Sequence, residues 1–216
     1  MIKAVIFDMD GVLVDTEPIQ ERVWETFFAG QGISVKKDDV PKMKGLRAID
    51  VIKLFMPHVG EDLINGLVDK RRAIYRKMLH DNPPSKIKGV TEFVQSLKEL
   101  KLKIAVATSA VKEIADMLID SAQLKQYMDI VISGEAVVSG KPDPEIYIKT
   151  AQRLGVDPKE CLVFEDAISG VKAAQAAGMK VAVLLTSHHK EDFPSAKLFF
   201  NDFTQINPAE LLEAEE

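Results

Sequence analysis

The sequence predicts an α/β protein with a Rossmann-like parallel sheet and a helical domain inserted after the first strand. Short runs of apolar and β-branched residues alternate with helical patterns of about ten residues, which is typical of βαβ units. The exception lies between the first strand and residue 90, where helical patterns follow one another without a strand. With 216 residues, 46% of them apolar, the chain is long enough for one or two globular domains.

The predicted strands are short and mostly apolar, at residues 2–7, 103–107, 130–133, 162–164, 181–185 and, with a weaker pattern, 196–199. The helices between them are predicted at residues 90–100, 112–121, 144–154 and 168–177. Helix punctuation supports these assignments. Asp143 can cap a helix that has Pro144 at its first position, and Gly155 and Gly178 suit left-handed helix ends.

The inserted segment is predicted to hold three successive helices, at residues 18–29, 47–55 and 62–80. Trp24, Phe27 and Phe28 share one face of the first of these helices and are expected to form the insert's own core. The sequence Asp-Asn-Pro-Pro-Ser at residues 81–85 has the composition of a linker. We therefore expect a core domain of residues 1–15 and 86–216 and a helical domain of residues 16–85.

Charge and composition limit the possible partners. The formal net charge of −5 argues against nucleic acid, because phosphate backbones favour basic surfaces. The basic run Lys70-Arg71-Arg72 is interpreted as a solvated helix face. The single cysteine, Cys161, lies in an apolar strand and is interpreted as a buried thiol, which fits a reducing cytoplasm. No apolar stretch suits a membrane span or a signal peptide, so we expect a cytoplasmic protein; a monomer is compatible with the sequence, which indicates no oligomeric state.

Acidic residues follow two of the predicted strands, and a lysine follows another. Asp8 and Asp10 come after the first strand, Glu165 and Asp166 after the fourth, and Lys141 stands in a Gly-Lys-Pro-Asp sequence beyond the third. If these strands are parallel neighbours, their carboxyl ends converge and the side chains share one cleft. Carboxylates packed this closely repel one another unless a cation lies among them, and an all-oxygen ligand set favours Mg²⁺.

The second strand ends in Thr108 and Ser109, directly before a helix, where a hydroxyl and backbone amides bind phosphate oxygens well. An aspartate at a strand end can attack phosphorus while its neighbour exchanges a proton with the leaving group. Each feature alone also has a structural interpretation, as a helix cap, a turn, a solvated lysine or acids at a helix start. Their placement after four different strands favours a phosphoryl-transfer site.

Four motifs together resemble those of the haloacid dehalogenase-like phosphohydrolase superfamily over essentially the whole chain. They are Phe-Asp-Met-Asp-Gly-Val at residues 7–12, Ala-Thr-Ser at 107–109, Gly-Lys-Pro-Asp-Pro at 140–144 and Val-Phe-Glu-Asp-Ala at 163–167. The resemblance implies that Asp8 is the nucleophile and Asp10 the general acid and base. It also implies phosphate binding by Thr108, the Ser109 amide and Lys141, and Mg²⁺ binding by Asp8, the Asp10 carbonyl, Glu165 and Asp166.

The inserted helices resemble the small helical cap of the β-phosphoglucomutase and sugar-phosphatase subgroup. Met-Lys-Gly-Leu-Arg at residues 43–47 resembles that subgroup's substrate loop, which implies substrate contacts by Lys44, Gly45 and Arg47. Two departures concern the mutases. Gln20 stands where they have a histidine that helps to couple sugar binding to closure, and Arg47 lies one residue early. These departures favour a Mg²⁺-dependent sugar-phosphate phosphatase with Gln20 as a substrate contact; the alternative is a β-phosphoglucomutase that interconverts β-glucose 1-phosphate and glucose 6-phosphate.

A non-enzymatic phospho-signalling or binding protein is the rival from another class. Receiver domains also place acids, a hydroxyl residue and a lysine at the ends of parallel strands. Their phospho-accepting aspartate follows the third strand, however, and they have no helical insert after the first. Here Gly134 and Glu135 follow the third strand, which is a poor acceptor site, and no expected catalytic residue is missing. The expected partner is therefore a small phosphorylated metabolite.

Overall fold

A computed structural model describes residues 1–209, apart from the side chains of residues 37, 38 and 41. Six strands form one parallel sheet: β1 Ala4–Phe7, β2 Lys103–Ala107, β3 Ile130–Ile132, β4 Cys161–Glu165, β5 Lys180–Leu184 and β6 Leu198–Phe200. The strand order is β3-β2-β1-β4-β5-β6. The described residues also contain seven α-helices: α1 Glu17–Ala29, α2 Ala48–Phe55, α3 Glu61–Asp81, α4 Val90–Glu99, α5 Lys112–Ser121, α6 Glu145–Leu154 and α7 Ile168–Ala176. The predicted α/β fold with a parallel sheet is confirmed.

The central strands are buried on both faces, which explains why they are continuous apolar runs. In β1, Val5 and Phe7 point to one side and belong to a core shared with α4 and α5. Ala4 and Ile6 point to the other side and belong to a smaller core shared with α6 and α7. The helices therefore cover both faces of the sheet. Cys161 of β4 is fully buried in the second core, as expected.

Helices α1, α2 and α3 lie between β1 and β2 in the chain. Trp24, Phe27 and Phe28 are buried in a hydrophobic cluster that these helices share, as predicted. The same helices also reach the main core, to which α1 contributes Val23 and α3 contributes Tyr75. The inserted helices consequently pack on each other and on the sheet domain at once. Within residues 1–209, no helix has the length and hydropathy of a membrane span.

Several predicted element ends shift by one or two residues. Helix α6 begins at Glu145, one residue after the predicted Pro144, and Asp143 Oδ1 accepts a hydrogen bond from the Glu145 amide at 2.9 Å, so Asp143 makes the predicted capping contact. Both predicted helix-end glycines have positive φ angles, +65° at Gly155 and +75° at Gly178. A left-handed residue ends a helix at little cost only when it has no side chain.

The register of the sheet brings the ends of three strands to one level. Phe7 pairs with Val106 on one side and with Phe164 on the other. Asp8 and Glu165 therefore emerge side by side at the carboxyl edge of the sheet. The strand order reverses between β1 and β4, and such a switch point is where open parallel sheets place their ligand sites.

Four phenylalanines stack beneath this edge and hold the strands against α4. The ring centroids of Phe7 and Phe164 lie 5.3 Å apart, and those of Phe93 and Phe203 lie 4.9 Å apart. We expect Phe203→Ala to lower the free energy of unfolding by about 3–5 kcal/mol, because it removes a buried aromatic ring and leaves a cavity. Urea denaturation measures this loss. The control Leu63→Ala removes an exposed side chain and should change stability by less than about 0.5 kcal/mol; equal losses in the two variants would contradict the packing argument.

Candidate active site

A buried lysine joins the ends of β1 and β4. Lys141 Nζ lies 2.6 Å from Asp8 Oδ1 and 2.6 Å from Glu165 Oε1, and its side chain has no exposed surface. The hydroxyl of Tyr147, from the first turn of α6, donates to the same Glu165 oxygen at 2.7 Å. The other Glu165 oxygen accepts hydrogen bonds from the backbone amides of Asp166 and Ala167 at 2.9 and 3.0 Å. Each of the two Glu165 oxygens therefore accepts two hydrogen bonds.

Burial dominates the electrostatics of this group. It raises the pKa of Asp8 to about 8, against the opposing attraction of Lys141 and with the help of repulsion from Glu165. Burial, together with repulsion from Glu165 and Asp8, also raises the pKa of Asp166 well above its usual value. Burial alone would lower the pKa of Lys141, but the carboxylates of Asp8 and Glu165 raise it well above its usual value. The lysine is therefore a fixed positive charge.

Asp166 is held by residues that follow β5. The hydroxyl of Ser187 donates a short hydrogen bond to Asp166 Oδ2, and Thr186 Oγ1 lies 3.4 Å from the same atom. The backbone of Gly11 passes directly over this carboxylate. A Cβ atom at position 11 would lie only 1.9 Å from Asp166 Oδ2, and the φ angle there is +73°. Only glycine fits at position 11 without displacing Asp166.

The donor set suits a divalent cation. Asp8, Glu165 and Asp166 are buried, and each offers a carboxylate oxygen within 4.8 Å of those of the others. The ammonium group of Lys141 binds the carboxylates of Asp8 and Glu165, so the negative charge of the three buried carboxylates is only partly compensated by it. A hard cation with oxygen ligands would supply the missing charge and favour the ionised carboxylates. The buried acidic cluster is therefore a possible metal site, with Lys141 beside it.

The predicted phosphate-binding pair lies next to this cluster. Thr108 is completely buried; its amide donates to Ile132 O at 3.0 Å, and its Oγ1 accepts from the Ala110 amide at 3.1 Å. Ser109 faces the cavity, and its hydroxyl donates to Gly45 O at 2.9 Å. The turn before α5 is thereby tied both to β3 and to the inserted helices.

Asp10 is surrounded by residues of the inserted segment. Its Oδ1 atom accepts hydrogen bonds from Thr16 Oγ1 at 2.5 Å, from Gln20 Nε2 at 3.1 Å and from Tyr75 OH at 3.2 Å. Burial raises the pKa of Tyr75 well above its usual value, so this hydroxyl keeps its proton and donates it. Gln20, a predicted substrate contact, thus lies directly beside Asp10.

The interpretation of Lys70-Arg71-Arg72 as a solvated face is wrong for Arg71. Its guanidinium carbon lies 4.5 Å from the ring centroid of Trp24 and 4.7 Å from that of Tyr75, and the residue is only 8% exposed. One of its amino groups donates a short hydrogen bond to Gln20 Oε1, but Nε has no acceptor within residues 1–209. Burial lowers its pKa to about 10, so it stays charged at neutral pH.

The predicted substrate loop lies against the sheet domain. Lys44 Nζ contacts Glu17 Oε2 at 2.5 Å and Ser187 O at 3.0 Å. A Cβ atom on Gly45 would come within 2.5 Å of Ser169 Oγ, so the glycine permits this close approach. Arg47 Nε and Nη2 bind the carboxylate of Asp50 at 2.7 and 3.1 Å.

One cavity of about 260 Å³ joins these groups. It lies between the inserted helices and the carboxyl edge of the sheet, and Arg71 and Tyr75 form part of its wall. The sequence-predicted residues that line it are Asp8, Asp10, Gln20, Lys44, Gly45, Arg47, Ser109 and Asp166. The other three predicted residues, Thr108, Lys141 and Glu165, are buried beside it. The structure therefore brings all the predicted residues to one place.

Sequence reasoning missed Arg71, Tyr75 and Tyr147, and for two of them a signal was present. The buried positions of α3 are Ile64, Leu67, Arg71, Tyr75 and Leu79, which are spaced by three and four residues. A cation within such an apolar stripe indicates a buried charge, because the stripe faces the core. For Tyr147, α6 gives no comparable sign, since a tyrosine on an apolar face is ordinary.

Comparisons with known proteins agree with this geometry. A family model for haloacid dehalogenase-like hydrolases matches residues 5–184. A phosphorylated carbohydrates phosphatase from Thermotoga maritima is 34% identical over 185 residues, which cover 83% of this chain and 83% of that protein. Hexitol phosphatase B from Escherichia coli (strain K12) is 29% identical over 220 aligned residues. The alignment covers 98% of this chain and 97% of that protein.

A solved structure of β-phosphoglucomutase from Clostridium difficile has the same fold. Its TM-score is 0.90 at 21% identity, with 99% of this chain and 96% of that chain covered. The predicted resemblance to the β-phosphoglucomutase and sugar-phosphatase subgroup is confirmed. The chain therefore belongs to the haloacid dehalogenase-like hydrolase family and is an enzyme of its phosphohydrolase type.

Proposed function

We propose that this protein is a Mg²⁺-dependent phosphatase that hydrolyses a small sugar phosphate through a phosphorylated Asp8. The observation that carries the proposal is the group formed by Lys141, Asp8 and Glu165, with Asp166 beside it, next to a cavity between the inserted helices and the sheet. In this proposal, residues 16–85 act as the cap over a core of residues 1–15 and 86–216, of which residues 210–216 lie outside the described part of the chain. The named activities of the relatives from Thermotoga maritima and Escherichia coli, on phosphorylated carbohydrates and hexitol phosphates, support this substrate class.

In the first half of the reaction, an Asp8 carboxylate oxygen forms a bond to phosphorus and the bond from phosphorus to the sugar oxygen breaks. Asp10 gives its proton to that leaving oxygen, so the sugar departs as a neutral alcohol. Lys141 and the turn at Thr108 and Ser109 bind the phosphoryl oxygens as negative charge develops on them. These donors are rigidly placed, because Lys141 is held between two carboxylates and Thr108 is bonded to β3.

In the second half, a water molecule attacks the same phosphorus atom. Asp10 takes a proton from the water, and the bond between phosphorus and the Asp8 oxygen breaks. The products are inorganic phosphate and regenerated Asp8, so atoms and charge balance over the cycle. Asp10 suits both proton transfers because one of its oxygens is fixed by Thr16, Gln20 and Tyr75.

Residues Asp8, Glu165 and Asp166, with the backbone carbonyl of Asp10, would hold the Mg²⁺ ion. When bound, the ion neutralises the carboxylates and the transferring phosphoryl group, which repel each other otherwise. The fit rests on the three buried carboxylates and their single ammonium partner. Gly11 leaves room for Asp166 to face this point.

The cap side of the cavity supplies contacts to the sugar. Arg71 has a buried, charged guanidinium with a donor that has no acceptor within residues 1–209, and Gln20 lies between it and Asp10. A sugar hydroxyl is an acceptor of the kind this donor lacks. Lys44 and Gly45 form the adjoining wall, where the loop contacts the core. We therefore assign the recognition of the sugar chiefly to Arg71 and Gln20.

The first prediction concerns the nucleophile. Asp8→Asn and Asp8→Ala should each reduce the release of phosphate from sugar phosphates at least ~1,000-fold, because neither side chain can form the covalent intermediate. A colorimetric phosphate assay with Mg²⁺ measures this loss, and chelation of the metal should give a similar loss in the wild-type protein. The control Asp15→Asn alters an exposed carboxylate close by and should keep wild-type turnover. Turnover in both Asp8 variants at the wild-type rate would refute the assignment.

The second prediction concerns recognition of the sugar. Arg71→Met should raise the KM for hexose phosphates by roughly 10- to 100-fold, as expected when a charged hydrogen-bond donor is lost. The KM for p-nitrophenyl phosphate, which has no sugar hydroxyl, should change little. Lys77→Met is the matched control, since Lys77 is exposed on the same helix and should leave both constants unchanged. Equal losses on both substrates would show that Arg71 acts on the phosphate or on folding.

The third prediction separates the phosphatase from the alternative mutase. With β-glucose 1-phosphate, we expect phosphate and glucose to form in equal amounts and no glucose 6-phosphate to accumulate. The physical reason is that the Gln20 side chain has no ionisable group. It therefore cannot couple the binding of the sugar to Asp10 through a change in its own charge. ³¹P NMR follows inorganic phosphate and glucose 6-phosphate in one sample. Accumulation of glucose 6-phosphate, stimulated by glucose 1,6-bisphosphate, would instead establish the mutase.

A further inference from the structure

The cap residue Arg47 reaches across the cavity mouth to a loop of the core. Besides its two bonds to Asp50, its Nη1 atom donates to the backbone carbonyls of Val138 at 2.9 Å and Val137 at 3.4 Å. Arg47 thus makes four hydrogen bonds, none of them to a side chain of the catalytic group. The residue joins the cap to the loop that precedes Lys141.

This loop is oriented so that its carbonyl groups face the cap. On the opposite side, Glu145 Oε2 accepts the backbone amides of Val138 at 3.0 Å and Ser139 at 2.8 Å. Its bonds to Lys149 and to these amides lower the pKa of Glu145 to about 2, so its carboxylate is negatively charged at neutral pH. The loop is therefore held from one side by an anion on its amides and from the other by a cation on its carbonyls.

Gly140 gives independent evidence that the cap is fitted to this loop. A Cβ atom at this position would lie 2.6 Å from Arg47 Nε and 2.7 Å from Asp50 Oδ2. The Arg47–Asp50 pair therefore lies directly on the glycine backbone, where any side chain would displace it. The next residue in the chain is Lys141, whose ammonium group binds both Asp8 and Glu165.

We propose that Arg47 is a positioning residue that acts through the 137–140 loop on Lys141, and that it is not primarily a contact to the sugar. The proposal rests on the proposed phosphatase function. With the cap closed, the Arg47–Asp50 pair clamps the loop and fixes the backbone from which Lys141 extends. Gly140 is needed because its lack of a side chain lets the Arg47–Asp50 pair approach the backbone of the loop.

The proposal makes a distinctive kinetic prediction. A contact to the sugar matters only for substrates that carry the sugar, whereas a clamp on Lys141 matters for every phosphate ester. Arg47→Ala should therefore lower kcat by about 10- to 100-fold on p-nitrophenyl phosphate and on a hexose phosphate alike, because a small misplacement of a catalytic group costs this much. Arg47→Lys should not restore activity, since an ammonium cannot both chelate Asp50 and reach the loop carbonyls.

A double-mutant cycle tests the path through the loop. Gly140→Ala should cause a loss of kcat of similar size, although it removes no group that binds substrate. Adding Gly140→Ala to Arg47→Ala should cost little more, because the clash partner is already gone and the two effects share one cause. Losses that multiply, or a Gly140→Ala variant with wild-type kcat, would overturn the proposal. A loss confined to hexose phosphates in Arg47→Ala would assign Arg47 to sugar binding.

The control and a second readout keep this test separate from that of the phosphatase function. Arg76→Ala removes an exposed ion pair with Glu113, 2.9 Å long, that also joins the cap to the core, and it should leave kcat unchanged. Amide hydrogen exchange of residues 138–141 should be faster in Arg47→Ala than in wild type or Arg76→Ala. Unchanged exchange would refute the clamp. If wild-type protein released no phosphate from either substrate, the phosphatase function would fail while the exchange data still decided the role of Arg47.

Discussion

The site depends on one buried interaction, the contact of Lys141 with both Asp8 and Glu165. It joins Asp8, which follows β1, and Glu165, the last residue of β4, to a loop more than a hundred residues from Asp8 in the chain. Loss of one partner would leave an uncompensated buried charge, which is far more costly than loss of a surface ion pair. The sheet register, Tyr147 and the loop before Lys141 therefore all serve to keep this lysine in place.

The positive charge of Lys141 does not balance the negative charge of the carboxylates that surround the site. The ammonium of Lys141 binds two of the three buried carboxylates, those of Asp8 and Glu165, and burial raises the pKa of Asp8 and of Asp166. If Asp8 is the nucleophile, as proposed, its carboxylate must be ionised, which requires further positive charge beside it. Glu165 at the end of β4 and Asp166 after it would supply that charge by holding a cation next to Asp8.

The strands and the core motifs were predictable because their signals are local. A parallel strand buried on both faces is an apolar run, and the chemistry follows directly at its end, as at Asp8 and Glu165. The environment of the cap residues was not predictable, because it arises from contacts between segments that are distant in the sequence. The neighbours of Arg71 in the sequence, Lys70 and Arg72, are typical of a solvated helix face. Only the spacing of the apolar residues along α3 indicates that Arg71 is buried. The partners of Arg47 are two backbone carbonyls, which have no sequence signature at all.

The contacts of the two central aspartates divide the chemistry between the two parts of the structure. Asp8 is bound by Lys141, which belongs to the core, whereas Asp10 is bound by Thr16, Gln20 and Tyr75, which precede β2. In the proposed mechanism, the contacts that hold the nucleophile Asp8 therefore come from the core, and those that hold the acid and base Asp10 come from the inserted segment. If the inserted helices moved away from the sheet, Asp10 would lose its bonds from Gln20 and Tyr75. The proposal thus makes proton transfer depend on the position of the inserted helices, whereas bond formation to phosphorus depends on contacts within the core.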